Sequence, residues 1–339
     1  MGWQSAGRNQ YGSRLPTKIS ATSAMSSKMT VPRVSVLIPT YKYARYLAEA
    51  IESVLGQEFA DFELLISDDG SDDGSAEVLR EYARQDPRVR AYVQPANIGM
   101  VQNWNWCLSQ ARGVYVKYIF GDDKLARPQA LGKMVAMLEA NPRAALAVSA
   151  REVIDEQSKI VEVWDHFGTS GVHCGAESIF RCLSQGNIIG EPSVVMFPRE
   201  LATRGFSVSY QQLVDAEMWL HLLERGSLIY TSEPLCAFRR HPLQRTEMNK
   251  PSLVHRNEYL RLALDYSESP ALKDFDTRTI QFLRLYQSRK YTKQETWEVP
   301  RRQLMQRLGR LTYLVYWLRR KLTNPFMNLM RKIQRDAPR

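Results

Sequence analysis

The sequence predicts an α/β protein, with a mostly parallel sheet flanked by helices and a helical, basic C-terminal extension. Three observations carry that expectation. Short β-branched or apolar runs alternate with amphipathic helical stretches over the first third of the 339 residues, as strand–helix–strand units do. Three polar or acidic clusters, PTYK, SDDGSDD and GDDK, each follow such a run directly, and parallel sheets bind ligands beyond the carboxyl ends of their strands. Past Thr246 the chain becomes mostly helical and charged.

Val34–Pro39 reads as a buried strand closed by its proline. In the stretch that follows, Tyr46, Leu47, Ala50, Ile51, Val54 and Leu55 recur at three and four residues, one helix face. Phe62–Ser67 is a second strand, ending in a loop of Asp, Gly and Ser. AEVLREYARQ is helical, and Val89–Val93 is a third strand. MVQNWNWCLSQARG is a helix with Gly113 as its stop. VYVKYIF is a strand ended by GDD. The alternation then loosens: a helix over Leu131–Glu139, a strand over Ala144–Ile154 in a hairpin with Ile160–Trp164, and a helix over Gly175–Leu183. A strand over Pro192–Pro198, a helix over Asp215–Glu224 with Met218, Leu222 and Leu223 inward, and strands over Leu228–Thr231 and Leu235–Phe238 complete the series.

Composition narrows the class. Apolar residues make up 44%, enough for a substantial core. The four cysteines, Cys107, Cys174, Cys182 and Cys236, form no C-x-x-C pair, which argues against a disulfide scaffold or a structural zinc and for a reducing compartment. The net charge of +10 is confined to residues 300–339, which hold eleven Lys or Arg against Asp336. The rest is neutral, so a nucleic-acid-binding body is disfavoured. No run of 18 apolar residues predicts a membrane span. Residues 1–30, rich in Ser, Thr, Gln and Gly, read as a disordered leader or a misassigned start, with a transit peptide as the rival.

The run VSVLIPTYKYARYLAEAIESVLGQEFADFELLISDDGSDDGS resembles the nucleotide-binding half of family 2 glycosyltransferases. The likeness continues through NIGMVQNWNWCLSQARGVYVKYIFGDD, VDAEMWLHLLERG and FRRHP, in the family's order and spacing over residues 33–245. It implies a GT-A (Rossmann-like) domain at 31–245, with a nucleotide-binding half at 31–125 and an acceptor half at 126–245, before an extension at 246–339. It also implies an inverting transfer of a sugar from a nucleotide-sugar donor, UDP by preference. The acceptor would be a hydroxyl of a glycan or a lipid-linked sugar in surface polysaccharide synthesis.

Such a reaction needs a base for the acceptor proton and a cation against the departing diphosphate. The resemblance assigns the base to Asp215, in VDAEMW, where Val214 replaces the usual glutamate and Trp219 lies beneath the acceptor. Glu217 is a rival base, and a helix cap is the structural alternative for Asp215. Asp122 and Asp123 fall on the metal-binding acids, for Mg²⁺ or Mn²⁺, while Phe120 stands where the first acid is usual. Donor contacts are implied for Pro39, Tyr41 (stacked on the base), Asp68, Asp69, Asn97, Asp123 and His241, with Asn103 near them. Arg239 and Arg240 read as phosphate contacts or as a solvated charge run; Asp72 or Asp73 reads as a cap. Two other readings stay open: a non-catalytic sugar-nucleotide or membrane-binding subunit, favoured by Phe120, and a nucleotidyltransferase, disfavoured because PTYKYARY is no Gly- and Lys-rich phosphate loop.

In residues 301–322, Leu304, Leu308, Leu311, Val315, Leu318 and Leu322 fall on one helix face, and seven Lys or Arg supply charge. Such a helix suits an anionic membrane surface, placing the protein in the cytoplasm, peripheral on the inner face of the membrane. Packing on the catalytic domain or on a partner subunit is the rival.

Overall fold

A computed structural model describes residues 16–19, 31–242, 244, 254–275 and 277. Most of the leader and the whole amphipathic segment 301–322 lie outside the described residues. The chain divides into two compact units, Met1–Ser252 and Leu253–Arg339.

The first unit holds the strands β1 (Thr17–Ile19), β2 (Val34–Thr40), β3 (Phe62–Asp68), β4 (Val89–Val93), β5 (Tyr115–Tyr118), β6 (Lys124–Leu125), β7 (Ala144–Ile154), β8 (Ile160–Trp164), β9 (Gly171–His173), β10 (Val195–Pro198) and β11 (Ser227–Arg239). Its helices are α1 (Ala44–Leu55), α2 (Ser75–Gln85), α3 (Met100–Gln110), α4 (Ala130–Ala140), α5 (Gly175–Gln185) and α6 (Val214–Leu223). The second unit shows α7 (Val254–Tyr266) and a 3₁₀ turn at Pro270–Leu272.

The strands form one sheet in the order β1-β4-β3-β2-β5-β10-β7-β11-β6, with β8 on β7 and β9 on β11. β2 and β3 are buried along their whole length, as strands covered on both faces must be, and so read as continuous apolar runs. α1 buries Tyr46, Leu47, Ala50, Ile51 and Val54, the face its spacing predicts. The pairs β4–β3, β3–β2, β2–β5 and β7–β11 are parallel. β10 is antiparallel to both β5 and β7. The sheet is therefore mixed, parallel in its first half and interrupted by one reversed interior strand. The carboxyl ends of β2, β3, β4, β5, β7 and β11 share one edge; β10 begins there.

Several elements depart from expectation for identifiable reasons. Pro192–Val194 is a 3₁₀ turn rather than strand, because proline fixes φ and removes a ladder donor. The two strands expected near 228–238 are one, β11, with register shifts on either side of Pro234. Thr17–Ile19, inside the segment read as a disordered leader, form β1 and pair antiparallel with β4. β1, β6 and β9 have two or three residues each, too few to show a period. Among the described residues no helix is long and apolar enough to cross a membrane, and all four cysteines are free.

Candidate active site

The loops beyond β2, β3 and β4 lie at the sheet edge where these parallel strands end. Asp69 follows β3 and accepts the backbone N–H groups of Ile98 (2.7 Å) and Gly99 (3.0 Å). It thereby ties the β3 loop to the β4–α3 loop. Asp69 is 2% exposed, and burial raises its carboxyl despite those two donors. Asp68 instead holds its own turn, accepting Ser71 N–H at 3.0 Å and Ser71 Oγ–H at 2.5 Å. It is fully buried and shapes the loop. Pro39 is likewise a buried strand residue, opposite Ser67. Tyr41 stands exposed at the end of β2, its ring 5.5 Å from the Lys42 ammonium. Asn97 is exposed in the β4–α3 loop, whereas Asn103 is buried and exchanges hydrogen bonds with Ser67. Asp73 does the capping, accepting Ala44 N–H (3.0 Å) at the start of α1 and Ser75 Oγ–H (2.6 Å) at the start of α2.

The GDD turn after β5 lies against β2: a Cβ on Gly121 would sit 2.7 Å from Thr40 Oγ1, a buried hydroxyl with no hydrogen-bond partner. Only glycine lets the turn approach so closely. The two acids that follow diverge. Asp123, 1% exposed, accepts Ser193 Oγ–H at 2.5 Å and Arg239 N–H at 2.9 Å. Burial, then the charges of Asp122 and Glu191, hold its carboxyl well above the usual range. It is packed under the 192–194 turn and β11, with both carboxylate oxygens engaged. Asp122 faces His241 instead, Oδ2 lying 3.1 Å from Nε2. The His241 ring is fixed by Tyr43 and Tyr46, centroids 5.8 and 5.2 Å away. Phe120 fills the place of the missing acid with a ring 4.8 Å from that of Trp104.

Arg239 is neither a phosphate contact nor solvated. At 1% exposure it donates to Asp122 O (2.8 Å), Asp155 O (3.0 Å), Ser158 Oγ (2.9 Å) and Glu49 Oε2 (2.5 Å), and lies 4.6 Å over the Tyr46 ring. It buttresses the GDD turn. Arg240 is exposed.

α6 and the segment before β10 carry the remaining candidates. Asp215, in the first turn of α6, accepts Asn187 Nδ2–H at 3.3 Å and Ala216 N–H at 2.7 Å. Burial pushes its carboxyl up to about 7, aided by the charge of Glu191 and opposed by the Ala216 N–H. Glu217, the rival, is buried in a two-point pair with Arg204 (2.8 and 2.7 Å), which commits it to holding α6 in place. Trp219 donates Nε1–H to Gly190 O at 2.9 Å, tying α6 to the Gly190 turn. The segment 187–193 links α6 to the GDD turn: Asn187 reaches Asp215, while Ser193 reaches Asp123 and also accepts Phe120 N–H at 3.2 Å. Beneath it Lys117, fully buried on β5, donates to the Ser193 carbonyl, and burial depresses its ammonium. Asn187, Gly190, Glu191, Ser193, Lys117 and Arg151 escaped the sequence reading.

Residues 35–204 match Glycosyl transferase family 2, half of the chain. The chain belongs to glycosyl transferase family 2. An uncharacterized protein of Mycobacterium tuberculosis is 31% identical over 247 residues, covering 70% of this chain and 76% of that one. A putative teichuronic acid biosynthesis glycosyltransferase of Bacillus subtilis is 26% identical, covering 61% and 79%. Other relatives are longer, and the chain spans 25% and 32% of two of them. Among solved structures, residues 1–349 of S. aureus TarS in complex with UDP-GlcNAc superpose with a TM-score of 0.61 at 16% identity, over 79% of this chain and 75% of that one. The expected fold and glycosyltransferase class are thus met by this family 2 chain.

Proposed function

We propose that the protein is an inverting transferase that moves a sugar from a UDP-sugar to a hydroxyl of a glycan or lipid-linked acceptor in bacterial surface polysaccharide synthesis. The observation that carries this reading is the segment 187–193, which braces Asp215 on one side and the GDD turn on the other. Tyr41 offers an exposed ring for the base, and Asp69 keeps lone pairs on a carboxylate that already orders two loops. The teichuronic acid biosynthesis name of one relative and the UDP-GlcNAc complex of TarS agree with it.

Asp122 and His241 present one carboxylate oxygen and one imidazole nitrogen side by side. Among the described residues no group of three metal-binding side chains occurs, so a cation would draw its other ligands from the diphosphate and water. That set fits Mn²⁺ and, with fewer nitrogens, Mg²⁺. When bound, the ion supplies positive charge against the leaving diphosphate. Asp215, as carboxylate, takes the acceptor proton while the hydroxyl displaces the diphosphate in line; no covalent enzyme intermediate is needed. We place the chain at the inner face of the membrane through segment 301–322, on the strength of its sequence pattern alone.

The test is a panel of nucleotide sugars incubated with the full chain in Mn²⁺ or EDTA, with release of nucleoside diphosphate recorded. Release from one UDP-sugar, dependent on metal and lost in Asp122→Ala, is expected. A protein that neither binds nor cleaves any donor refutes the site. Donor binding with no Asp215-dependent turnover on any acceptor would favour a non-catalytic subunit, which the replacement of the first acid by Phe120 would suit.

A further inference from the structure

Asp215 is held by more than its own helix. The Asn187 side chain closes a small loop, accepting Gly190 N–H at 3.0 Å and donating to Gly190 O at 3.2 Å, while Nδ2 also reaches Asp215 Oδ2. The Gly190 carbonyl receives a second donor, Trp219 Nε1–H, from the helix that carries Asp215. On the opposite side Arg151 of β7, 5% exposed, pairs with Glu191 Oε1 at 3.0 Å and lies 5.1 Å over the Trp164 ring. Gly190 has φ +114°, and a Cβ there would meet Arg151 Nη1 at 2.8 Å and Val194 Cγ2 at 2.9 Å. The loop is therefore clamped between α6 and β7 with no room for a side chain at its turn.

We propose that the Asn187–Glu191 loop is the positioning device of the base: Asn187 orients one oxygen of Asp215, and the Arg151–Glu191 pair fixes a negative charge beside it. This rests on the reading of Asp215 as general base. Glu191 and Arg151 are the charged groups whose fields act on Asp215; Asn187 and the Ala216 N–H are its hydrogen-bond donors. The charge of Glu191 favours the protonated acid, whereas the two donors and Arg151 favour the carboxylate. Their balance suits a base working near neutrality, where a proton is held strongly yet the carboxylate is still populated. Glu191 and Asn187 need not touch substrate to act in this way.

The experiment is a carboxyl ¹³C NMR titration of the full chain labelled at aspartate, with the Asp215 signal assigned by its loss in Asp215→Asn. Glu191→Gln is expected to lower the Asp215 midpoint by about one pH unit, and Asn187→Ala to raise it by about half of that. Glu162→Gln, an exposed acid on β8, should leave it unmoved. A midpoint unchanged in both loop variants overturns the proposal; should Glu191→Gln fail to fold, Asn187→Ala alone decides it. The acid limb of UDP release, measured with the UDP-sugar chosen in the donor screen, should follow the NMR midpoints. Midpoints that move while the limb stays fixed would uphold the loop's action on Asp215 and remove Asp215 as base, which separates the two failures.

Discussion

Arg239→Lys is expected to loosen the GDD turn while keeping the charge. The guanidinium reaches four acceptors in different directions and stacks on Tyr46; a lysine ammonium is a single point and cannot serve all four. Glu49 would not be stranded, since it also accepts Ser158 Oγ–H at 2.7 Å and pairs with Lys124. The carbonyls of Asp122 and Asp155 would each lose a charged donor in a buried place. At about 1.5 kcal/mol for each such bond, the loss comes to about 3 kcal/mol, the lower end for a broken buried ion pair. In a domain of this size that lowers the melting temperature by roughly 6–12 °C. Thermal unfolding followed by circular dichroism measures it, and Mn²⁺-dependent donor binding should weaken in parallel because Asp122 loses its support. A fall of less than about 3 °C with donor binding intact would refute the buttressing role.

Asp215→Asn should lower turnover by about 10²-fold or more, the usual worth of a general base, and leave donor affinity unchanged by calorimetry. The same substitution should raise the melting temperature at pH 8 but not at pH 3: the folded carboxyl is raised to about 7, so its stability contribution is present below the unfolded value and lost as pH rises through the folded one. Tyr41→Ala should weaken UDP binding by about tenfold, as expected for loss of one stacked ring, with Tyr41→Phe close to the parent. Glu63, buried at the start of β3, pairs with Arg90 and Arg112, both at 2.6 Å. Burial would raise its carboxyl, but hydrogen bonds from Ser35, Arg112 and Arg90 outweigh it and hold it low. Glu63→Ala should therefore cost about 3–5 kcal/mol at pH 7 in urea unfolding, with the deficit shrinking as acid protonates the parent's carboxyl.

The first half of the sheet was legible because its strands are continuous apolar runs and its polar clusters come directly after them: PTYK, SDDGSDD and GDDK all lie at the shared edge. The second half followed another rule. GEPS lies one residue before β10, and because β10 is reversed its start, not its end, meets the shared edge. A search after strands passes over Asn187, Glu191 and Ser193 for that reason. Arg151 sits within a fully buried strand, where a basic residue gives no local sign of its partner 40 positions away. The divergence of Asp122 from Asp123 depends on where β11 and the 192–194 turn pack, which adjacency in sequence does not encode. Val214 and Phe120 stand where the family pattern has acids, and the partners of the neighbouring Asp215 and Asp122, Asn187 and His241, come from segments distant in sequence.

The reversed strand also bears on how the chain comes off the ribosome. β2 to β5 are all synthesised by Tyr118, but β10, which covers the open side of β5, ends at Pro198. The edge of β5 thus waits for about eighty residues, on the order of ten seconds at ordinary elongation rates. An exposed apolar edge of that kind invites pairing with a neighbouring nascent chain. Lys117 lies in the middle of it, opposite Met196 in the finished sheet. A lysine in an uncovered strand is hydrated and charged, the kind of residue that discourages strand addition. With β10 in place the same group donates to the Ser193 carbonyl, so the strand that closes the sheet also gives this lysine its partner.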